Sequence, residues 1–247
     1  MFRHQGKSRT LEHNIRIATI LSFVAGLVNV TGFLAFTQLT TNVTGHFALF
    51  MSDVANFEVW KGTVYFLYIF SFLFGSFLSS FLIEFYKENK KLNVFVIPTL
   101  IECLILVSVS IITYTGELNS PNLIVCLLLF AMGVQNSFVT KISNAIVRTT
   151  HLTGLFTDLG IELSQLFFPK THPYTYKIKA TIKLRVYIIC FFFLGGIIGG
   201  FLYSRLNLKL NTLIFGAVIL FTSLFYDDMR YKFIRTKRKF KHRKNNL

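Results

Sequence analysis

A six-residue element occurs twice in the chain, and the second copy follows the first by 109 residues. The first copy is TTNVTG, from Thr40 to Gly45, and the second is TTHLTG, from Thr149 to Gly154. Each copy follows a long apolar segment and begins a shorter, more polar one. In membrane proteins made of two related halves, sites form where the repeats meet, at interrupted helices. The element therefore predicts a duplicated membrane unit.

Long apolar segments account for most of the remaining sequence. Apolar residues make up 53% of the chain and charged residues 15%, and the mean hydropathy is +0.55. A helix crosses a bilayer with about 17 to 25 apolar residues. Segments near that length lie at about 17–36, 64–85, 94–114, 123–139, 186–203 and 210–226. Because lipid offers the backbone no hydrogen bonds, we predict an all-α polytopic membrane protein with about six transmembrane helices.

The distribution of Lys and Arg selects among topologies, because these residues accumulate on the cytoplasmic side. With six spans and a cytoplasmic N-terminus, 23 of the 26 basic residues lie inside. If the short segments 43–56 and 150–168 also crossed the membrane, the cluster from Lys87 to Lys91 would move outside. We therefore expect six spans, both termini in the cytoplasm, and two short polar segments that re-enter the membrane. Interfacial amphipathic helices, or two further spans, are the alternatives.

Three spans in each half give the second half the opposite orientation. The two inverted pseudo-repeats cover about 15–114 and 122–226, within a single membrane domain, 1–247, that ends in a basic tail, 227–247. Residues 74–77 (FGSF) resemble residues 194–197 (LGGI). Small residues at such positions let membrane helices approach closely.

Each short segment carries an acid nine residues after the last threonine of its element. Asp53 follows Thr44 at that distance, and Glu162 follows Thr153. An ionisable group within a membrane is costly and usually faces a cavity or a partner. We therefore expect the two acids to line one polar cavity as counterparts. The alternative is that each acid only solvates a helix end at the headgroups.

The repeated element is also suited to begin a helix. Threonine is a good N-cap, and the free N–H groups at a helix start carry partial positive charge. Two such starts that face each other from opposite leaflets would form a site for an anion or a neutral hydrogen-bonding solute. Capping is expected in either case, and amides within spans also serve as bonds between helices. The candidate solute-binding residues are Asn29, Asn42, Thr44, Gly45, His46, Asp53, Gln135, Asn136, His151, Thr153, Gly154, Asp158 and Glu162.

Catalysis has little support in the sequence. His46, His151 and His172 lack the spacing of metal ligands, and no nucleophile motif is present. We therefore expect no enzyme, no catalytic residue, no metal and no cofactor. Two functions remain: a secondary transporter or channel for an unidentified small solute, and a non-transporting scaffold or regulatory protein.

The combination of motifs resembles a known family. The residues that carry the resemblance are Ser22 to Gly26, Gly32-Phe33, Asn42 to Gly45, Gly133 to Asn136 and Thr149 to Gly154. Over about 15–226 the chain resembles the YoaK-like bacterial membrane proteins, a family without an assigned function. The resemblance implies a multi-pass protein of the bacterial cytoplasmic (inner) membrane. The chain departs from the family pattern at two positions. It has Asn29 where the family tends to carry Asp, and His46 where the family tends to carry Asn.

The basic tail predicts a contact with lipid. Residues 227–247 contain nine Lys or Arg with aromatic residues between them, and such a cluster beside a last span anchors on anionic lipids. No nucleic-acid recognition motif accompanies these charges, so we expect no nucleic-acid partner. The expected partners are the bilayer, its anionic lipids and a small solute, and the sequence leaves a homo-oligomer open.

Overall fold

A computed structural model describes residues 9–86, 95–115, 120–168 and 173–225. All regular structure in these ranges is helical, which confirms the all-α prediction. The helices are α1 Leu11–Phe36, α2 Thr44–Ala55, α3 Val59–Tyr86, α4 Val96–Thr115, α5 Pro121–Ser143, α6 Leu152–Gln165, α7 Thr175–Ser204 and α8 Lys209–Phe225. The first turn of α8 is a 3-10 turn, Lys209–Asn211.

Five of the helices in the described ranges are long and apolar enough to cross a membrane, namely α1, α3, α4, α5 and α7. The sixth predicted span corresponds to α8, which is apolar but shorter. The two short segments form α2 and α6, of 12 and 14 residues. The protein is therefore a multi-pass helical membrane protein. The cluster Lys87 to Lys91 and the tail 227–247, on which part of the topology prediction depends, lie outside the described residues.

Helices α3 and α5 form a close parallel pair. The Tyr68 hydroxyl donates to Asn122 Oδ1 at 2.7 Å near one end of the pair, and Lys141 pairs with Glu84 at 2.7 Å near the other. Between these contacts, a Cβ atom built on Gly75 would lie 2.1 Å from the main-chain oxygen of Phe130. Only glycine permits this approach of the two backbones.

Helices α1 and α7 pack in the same way. A Cβ atom on Gly195 would lie 1.9 Å from the Phe23 carbonyl oxygen, and one on Gly26 would lie 2.0 Å from that of Phe192. The similarity between residues 74–77 and 194–197 therefore reflects glycines, Gly75 and Gly195, that each allow close packing against a facing helix. The first helix of each half packs against the third helix of the other half, so that the two halves are interleaved.

The first helix of each half also lies at the centre of the molecule. In their most apolar stretches, 61% of residues in α1 and 67% in α5 are buried, compared with 22% in α3 and 39% in α7. The exposed surface of α3 is largely phenylalanine, including Phe70, Phe77 and Phe85. An apolar surface of this kind fits contact with lipid.

Candidate solute site

The chain folds back along α1 after that helix ends. Thr37 has a positive φ of 55° and ends the helix. The Thr40 hydroxyl then donates to the carbonyl oxygen of Val28 at 3.1 Å, and the Thr41 hydroxyl donates to Asn29 Oδ1 at 2.9 Å. Val28 precedes the end of α1 by about two turns, or about 12 Å along the axis. Helix α2 therefore begins well back from the end of the helix before it.

Helix α2 then packs antiparallel against the beginning of α3. The ring of His46, in the first turn of α2, lies 6.1 Å from the ring of Tyr65 and 5.1 Å from that of Tyr68, measured between centroids. At the other end, Asp53 and Phe50 pack against Gly62. We call α2 and the start of α3 the first hairpin.

The second copy of the element follows the same course beside α5. Asn144 and Ala145, both with positive φ, turn the chain back after α5. Thr150 donates from its hydroxyl to Asn136 Oδ1 at 2.8 Å, and the Gln135 amide donates to the Thr149 hydroxyl at 3.2 Å. The Thr41–Asn29 bond thus recurs as the Thr150–Asn136 bond.

A different set of contacts holds α6 against α7. Arg185 Nε and Nη2 donate to the two carboxylate oxygens of Glu162 at 2.9 and 3.0 Å, and Nη1 donates to Asp158 Oδ2 at 2.8 Å. A two-point contact between guanidinium and carboxylate is among the stronger charged hydrogen bonds in proteins. We call α6 and the start of α7 the second hairpin.

The N-terminal ends of α2 and α6 open into one cavity of about 790 Å³. Residues 41–44 line it from the first element and residues 150–155 from the second. Asn29, Arg148, Asp158, Thr181 and Arg185 complete its polar surface. The two copies of the element therefore meet at a single polar space.

Neither half-helix is capped by a side chain at that space. The N-cap residues are Val43 and His151, and neither makes a side-chain hydrogen bond to the first turn. The expectation that threonines of the element cap these helices is therefore wrong. Thr41 and Thr150 bond to asparagines of α1 and α5 instead, and Thr44 is already the first residue of α2. The first N–H groups of both helices therefore have no side-chain cap, and the residues that carry them line the cavity.

The sequence profile of DUF1275, described as a protein of unknown function, matches residues 17–226. The chain belongs to the DUF1275 family. No curated protein and no solved structure matches it. The part of the chain that matches DUF1275 contains both hairpins and every residue that lines the cavity.

Seven of the candidate residues line the cavity of this DUF1275 protein: Asn29, Asn42, Thr44, His151, Thr153, Gly154 and Asp158. Partial desolvation and the nearby Arg148 charge lower the pKa of His151 below its ordinary value. The Asn29 amide nitrogen makes no hydrogen bond to any described residue, although its counterpart on Asn136 donates to the Met132 carbonyl at 2.8 Å.

Six candidates do not line the cavity: Gly45, His46, Asp53, Gln135, Asn136 and Glu162. His46 is buried in the first hairpin, where its Nε2 lies 2.7 Å from the Leu39 carbonyl oxygen. Gln135 and Asn136 are buried, and their amides hold the second element to α5. The surroundings of Asp53 and Glu162 require a separate correction.

The two acids predicted to line one cavity have different neighbours. Asp53 lies near the end of α2 beside Gly62, close enough to Lys61 for their charges to interact. Glu162 is bound by Arg185 in the second hairpin. Neither is among the described residues that line the cavity. Their position nine residues after the last threonine of the element places both acids about two and a half turns along their half-helices, away from the N-terminal ends that form the space.

Sequence reasoning missed five polar residues of the cavity: Thr41, Arg148, Thr150, Thr181 and Arg185. Thr41 and Thr150 are part of the repeat and were available from it. Arg185 precedes the apolar segment 186–203 and reads as a loop charge, but α7 begins at Thr175 and carries it on the helix. Within the described ranges, no three His, Cys, Asp or Glu residues are arranged to bind a metal ion.

Proposed function

We propose that this DUF1275 protein moves a small polar solute across the bacterial cytoplasmic membrane, as a secondary transporter or a channel. The observation that carries the proposal is that the uncapped N-terminal ends of two half-helices, one from each half of the chain, open into the same cavity. Discontinuous helices that meet at the interface of two repeats are the arrangement in which transporters bind solute. The proposal assigns no chemical reaction to the protein.

The depth of the hairpins supports this function. The first hairpin brings the start of α2 beside Tyr68, which lies about 13 Å from the beginning of α3. Arg185, at the cavity, lies about 15 Å from the beginning of α7. The tips of both hairpins therefore lie well beyond the beginnings of α3 and α7, and the irregular backbone there lies beside a polar cavity, as it must at membrane depth.

The charge distribution supports an orientation for the two hairpins. With both termini in the cytoplasm, 23 of the 26 basic residues lie inside. In that orientation the first hairpin enters from outside and the second from the cytoplasm. In a cysteine-free background, a cysteine at the exposed Phe57 should react with an impermeant maleimide added to intact cells, and a cysteine at Phe168 should not. The reverse pattern would contradict the orientation.

Flux through the cavity is the direct test of function. Gly154 and Gly160 both lie on α6, and a Cβ atom on either would have no other atom within 4 Å. Only Gly154 lines the cavity. Proteoliposomes should take up a solute from a panel of acetate, nitrate, sulfate, glycerol and choline. Gly154→Trp should abolish that uptake and the matched Gly160→Trp should retain it. No uptake of any solute, or equal uptake by both variants, would favour the scaffold reading.

A further inference from the structure

The middle of α4 carries a buried acid that the proposed function does not use. Glu102 is 0% exposed, and neither of its carboxyl oxygens makes a hydrogen bond to any described residue. Four other acids in the described ranges are each paired with a Lys or Arg, namely Glu58, Glu84, Asp158 and Glu162. An ionisable group within a membrane helix is a functional candidate whose partner has to be identified.

The polar side chains next to Glu102 on α4 do not bond to it. The Thr99 hydroxyl donates to the Phe95 carbonyl oxygen at 2.9 Å. The Cys103 thiol donates to the Ala217 carbonyl oxygen of α8 at 3.5 Å. These are the two polar side chains within one turn of the acid along α4, and both use their donor on the backbone.

The helices around α4 bring no counter-charge to Glu102. Lys141 of α5 is paired with Glu84 of α3 at 2.7 Å. Lys209 lies in the first turn of α8, and Arg16 of α1 is exposed. The remaining titratable side chains of these helices are Glu12, His13, Lys61, Tyr65, Tyr68, Tyr86 and Cys126. In the described part of the chain, none of these groups bonds to the acid.

Glu102 lies at the same depth as Leu21 of α1. Helices α1 and α4 both run antiparallel to α8. A Cβ atom on Gly216 of α8 would lie 3.5 Å from the Val24 side chain and 3.7 Å from that of Leu106, so these two side chains share one depth. One turn back along each helix are Leu21 and Glu102.

At this depth, Gln135 connects α1 to the second copy of the repeat element. Its amide nitrogen donates to the Leu21 carbonyl oxygen at 2.9 Å and to the Thr149 hydroxyl at 3.2 Å. Its amide oxygen is buried and accepts from no described residue. Helix α5, which carries Gln135, also packs against α4. The depth of Glu102 is therefore the depth at which the second element is held in place.

The charge that compensates Glu102 has to come from solution. An isolated carboxylate in an apolar interior costs far more free energy than the neutral acid. Hard metal cations are held by several oxygen ligands. Within one turn along α4, the only other side-chain oxygen is on Thr99, and its hydroxyl is bonded to the backbone. A proton needs only the carboxyl group itself, so the surroundings favour a proton.

We infer that Glu102 binds the proton to which solute movement is coupled. This inference rests on the proposed function and names its energy source. The carboxyl group keeps its proton while α4 is packed against α5 and α8, and it gives the proton to water when these helices separate. Because α5 also holds the second element, through Gln135, that separation displaces the start of α6 at the cavity.

Infrared spectroscopy of the full-length protein in lipid nanodiscs tests the proton site without a solute. At neutral pH the parent should show the C=O band of a protonated carboxyl group, and carbon-13 labelling of glutamate should shift it. Glu102→Gln, a neutral isostere, should lose the band. Glu58→Gln, at an exposed acid paired with Lys61, should retain it. A band that is absent from the parent, unmoved by the label or retained in Glu102→Gln would overturn the inference.

Flux in proteoliposomes tests the coupling. The probe is the solute of the panel whose uptake Gly154→Trp abolishes. A gradient of about one pH unit, imposed in one direction or the other, should drive accumulation of up to about tenfold at one proton per solute. Glu102→Gln should lose this accumulation and still exchange labelled solute without a gradient. Glu58→Gln should behave as the parent does.

The outcomes separate the inference from the proposed function. A glutamate band that is lost in Glu102→Gln, without flux of any solute, would support the proton site and overturn transport. Flux that Gly154→Trp blocks, but that neither a pH gradient nor Glu102→Gln changes, would support transport and overturn the coupling. Melting temperatures in nanodiscs serve as the folding control, and the labelled parent gives its result without any variant.

Discussion

The two hairpins follow the same backbone course but are held by different chemistry. In the first, an aromatic cluster of His46, Tyr65 and Tyr68 joins α2 to α3. In the second, Arg185 with two carboxylates joins α6 to α7. By the register of Gly75 and Gly195, Tyr65 and Arg185 occupy corresponding positions. The duplicated unit thus preserves where the chain turns back, and it leaves the contacts that hold each hairpin free to differ.

The two halves share the hydrogen bonds of the repeat element and the close helix contacts at glycine. The hydrogen bonds from Thr41 to Asn29 and from Thr150 to Asn136 join each element to the first helix of its own half. The glycine contacts join each first helix to the third helix of the other half. These interactions position the two half-helices. The hairpin contacts only fix each half-helix against its neighbour, and this division predicts how variants differ in effect.

Removal of the guanidinium from the second hairpin should have the largest effect. Arg185→Met leaves Glu162, whose side chain is 13% exposed, without its partner. Breaking a buried ion pair on one side costs about 3 to 5 kcal/mol. Asp158 is half exposed, so water compensates for part of its lost partner. We therefore expect Arg185→Met to lower the unfolding free energy in mixed micelles by about 3 kcal/mol. The triple variant Arg185→Met, Asp158→Asn, Glu162→Gln should recover most of it, because no charge is then left unpaired. A loss below about 1 kcal/mol in the single variant would mean that the ions do not hold this hairpin.

Glycine replacements should cost an intermediate amount, and the same amount in both halves. A Cβ atom on Gly75 or Gly195 would meet a carbonyl oxygen of the facing helix at 2.1 or 1.9 Å. Gly75→Ala and Gly195→Ala should each lower the unfolding free energy by about 1 to 3 kcal/mol, the usual cost of overpacking. Gly200→Ala is the matched control, because its nearest contact is a Val30 side-chain atom at 3.4 Å. Clearly unequal losses at Gly75 and Gly195 would break the equivalence of the two helix pairs.

The smallest effect is expected in the first hairpin. His46 corresponds to Leu155 in the second copy, and both are buried. His46→Leu removes an aromatic contact and the hydrogen bond to Leu39, at a cost of about 1 kcal/mol. Phe47→Leu, an exposed neighbour, should change the unfolding free energy much less. If His46→Leu were as costly as Arg185→Met, the first hairpin would depend on one residue as strongly as the second, and the comparison would fail.

Much of this architecture follows from the sequence, because hydropathy and a duplicated element report directly on helices and repeats. The sequence also indicated Thr44, His151 and Thr153 as cavity residues, because helix starts in two inverted repeats enter from opposite faces and were expected to face each other. The sequence-based prediction that Asp53 and Glu162 line the cavity failed. Spacing along a helix determines on which face a side chain lies, but it does not determine how far along the helix the cavity extends. The sequence failed to indicate Arg185 because hydropathy recognises only the apolar part of α7.

Cross-linking tests the central claim, that the beginnings of α2 and α6 meet at one cavity, most directly. In a cysteine-free background, with Cys103, Cys126 and Cys190 replaced, Thr44→Cys and Thr153→Cys place one thiol at each half-helix start. A short bis-maleimide added to native membranes should join the two thiols within one chain. To detect this, a protease site is inserted at 116–119, between the two cysteines in the sequence. After cleavage there, the two halves of a cross-linked chain should still migrate together as one band. The pair Phe57→Cys and Thr153→Cys should not be joined, because Phe57 lies at the far end of the first hairpin. Cross-linking of the second pair but not of the first would contradict a shared cavity.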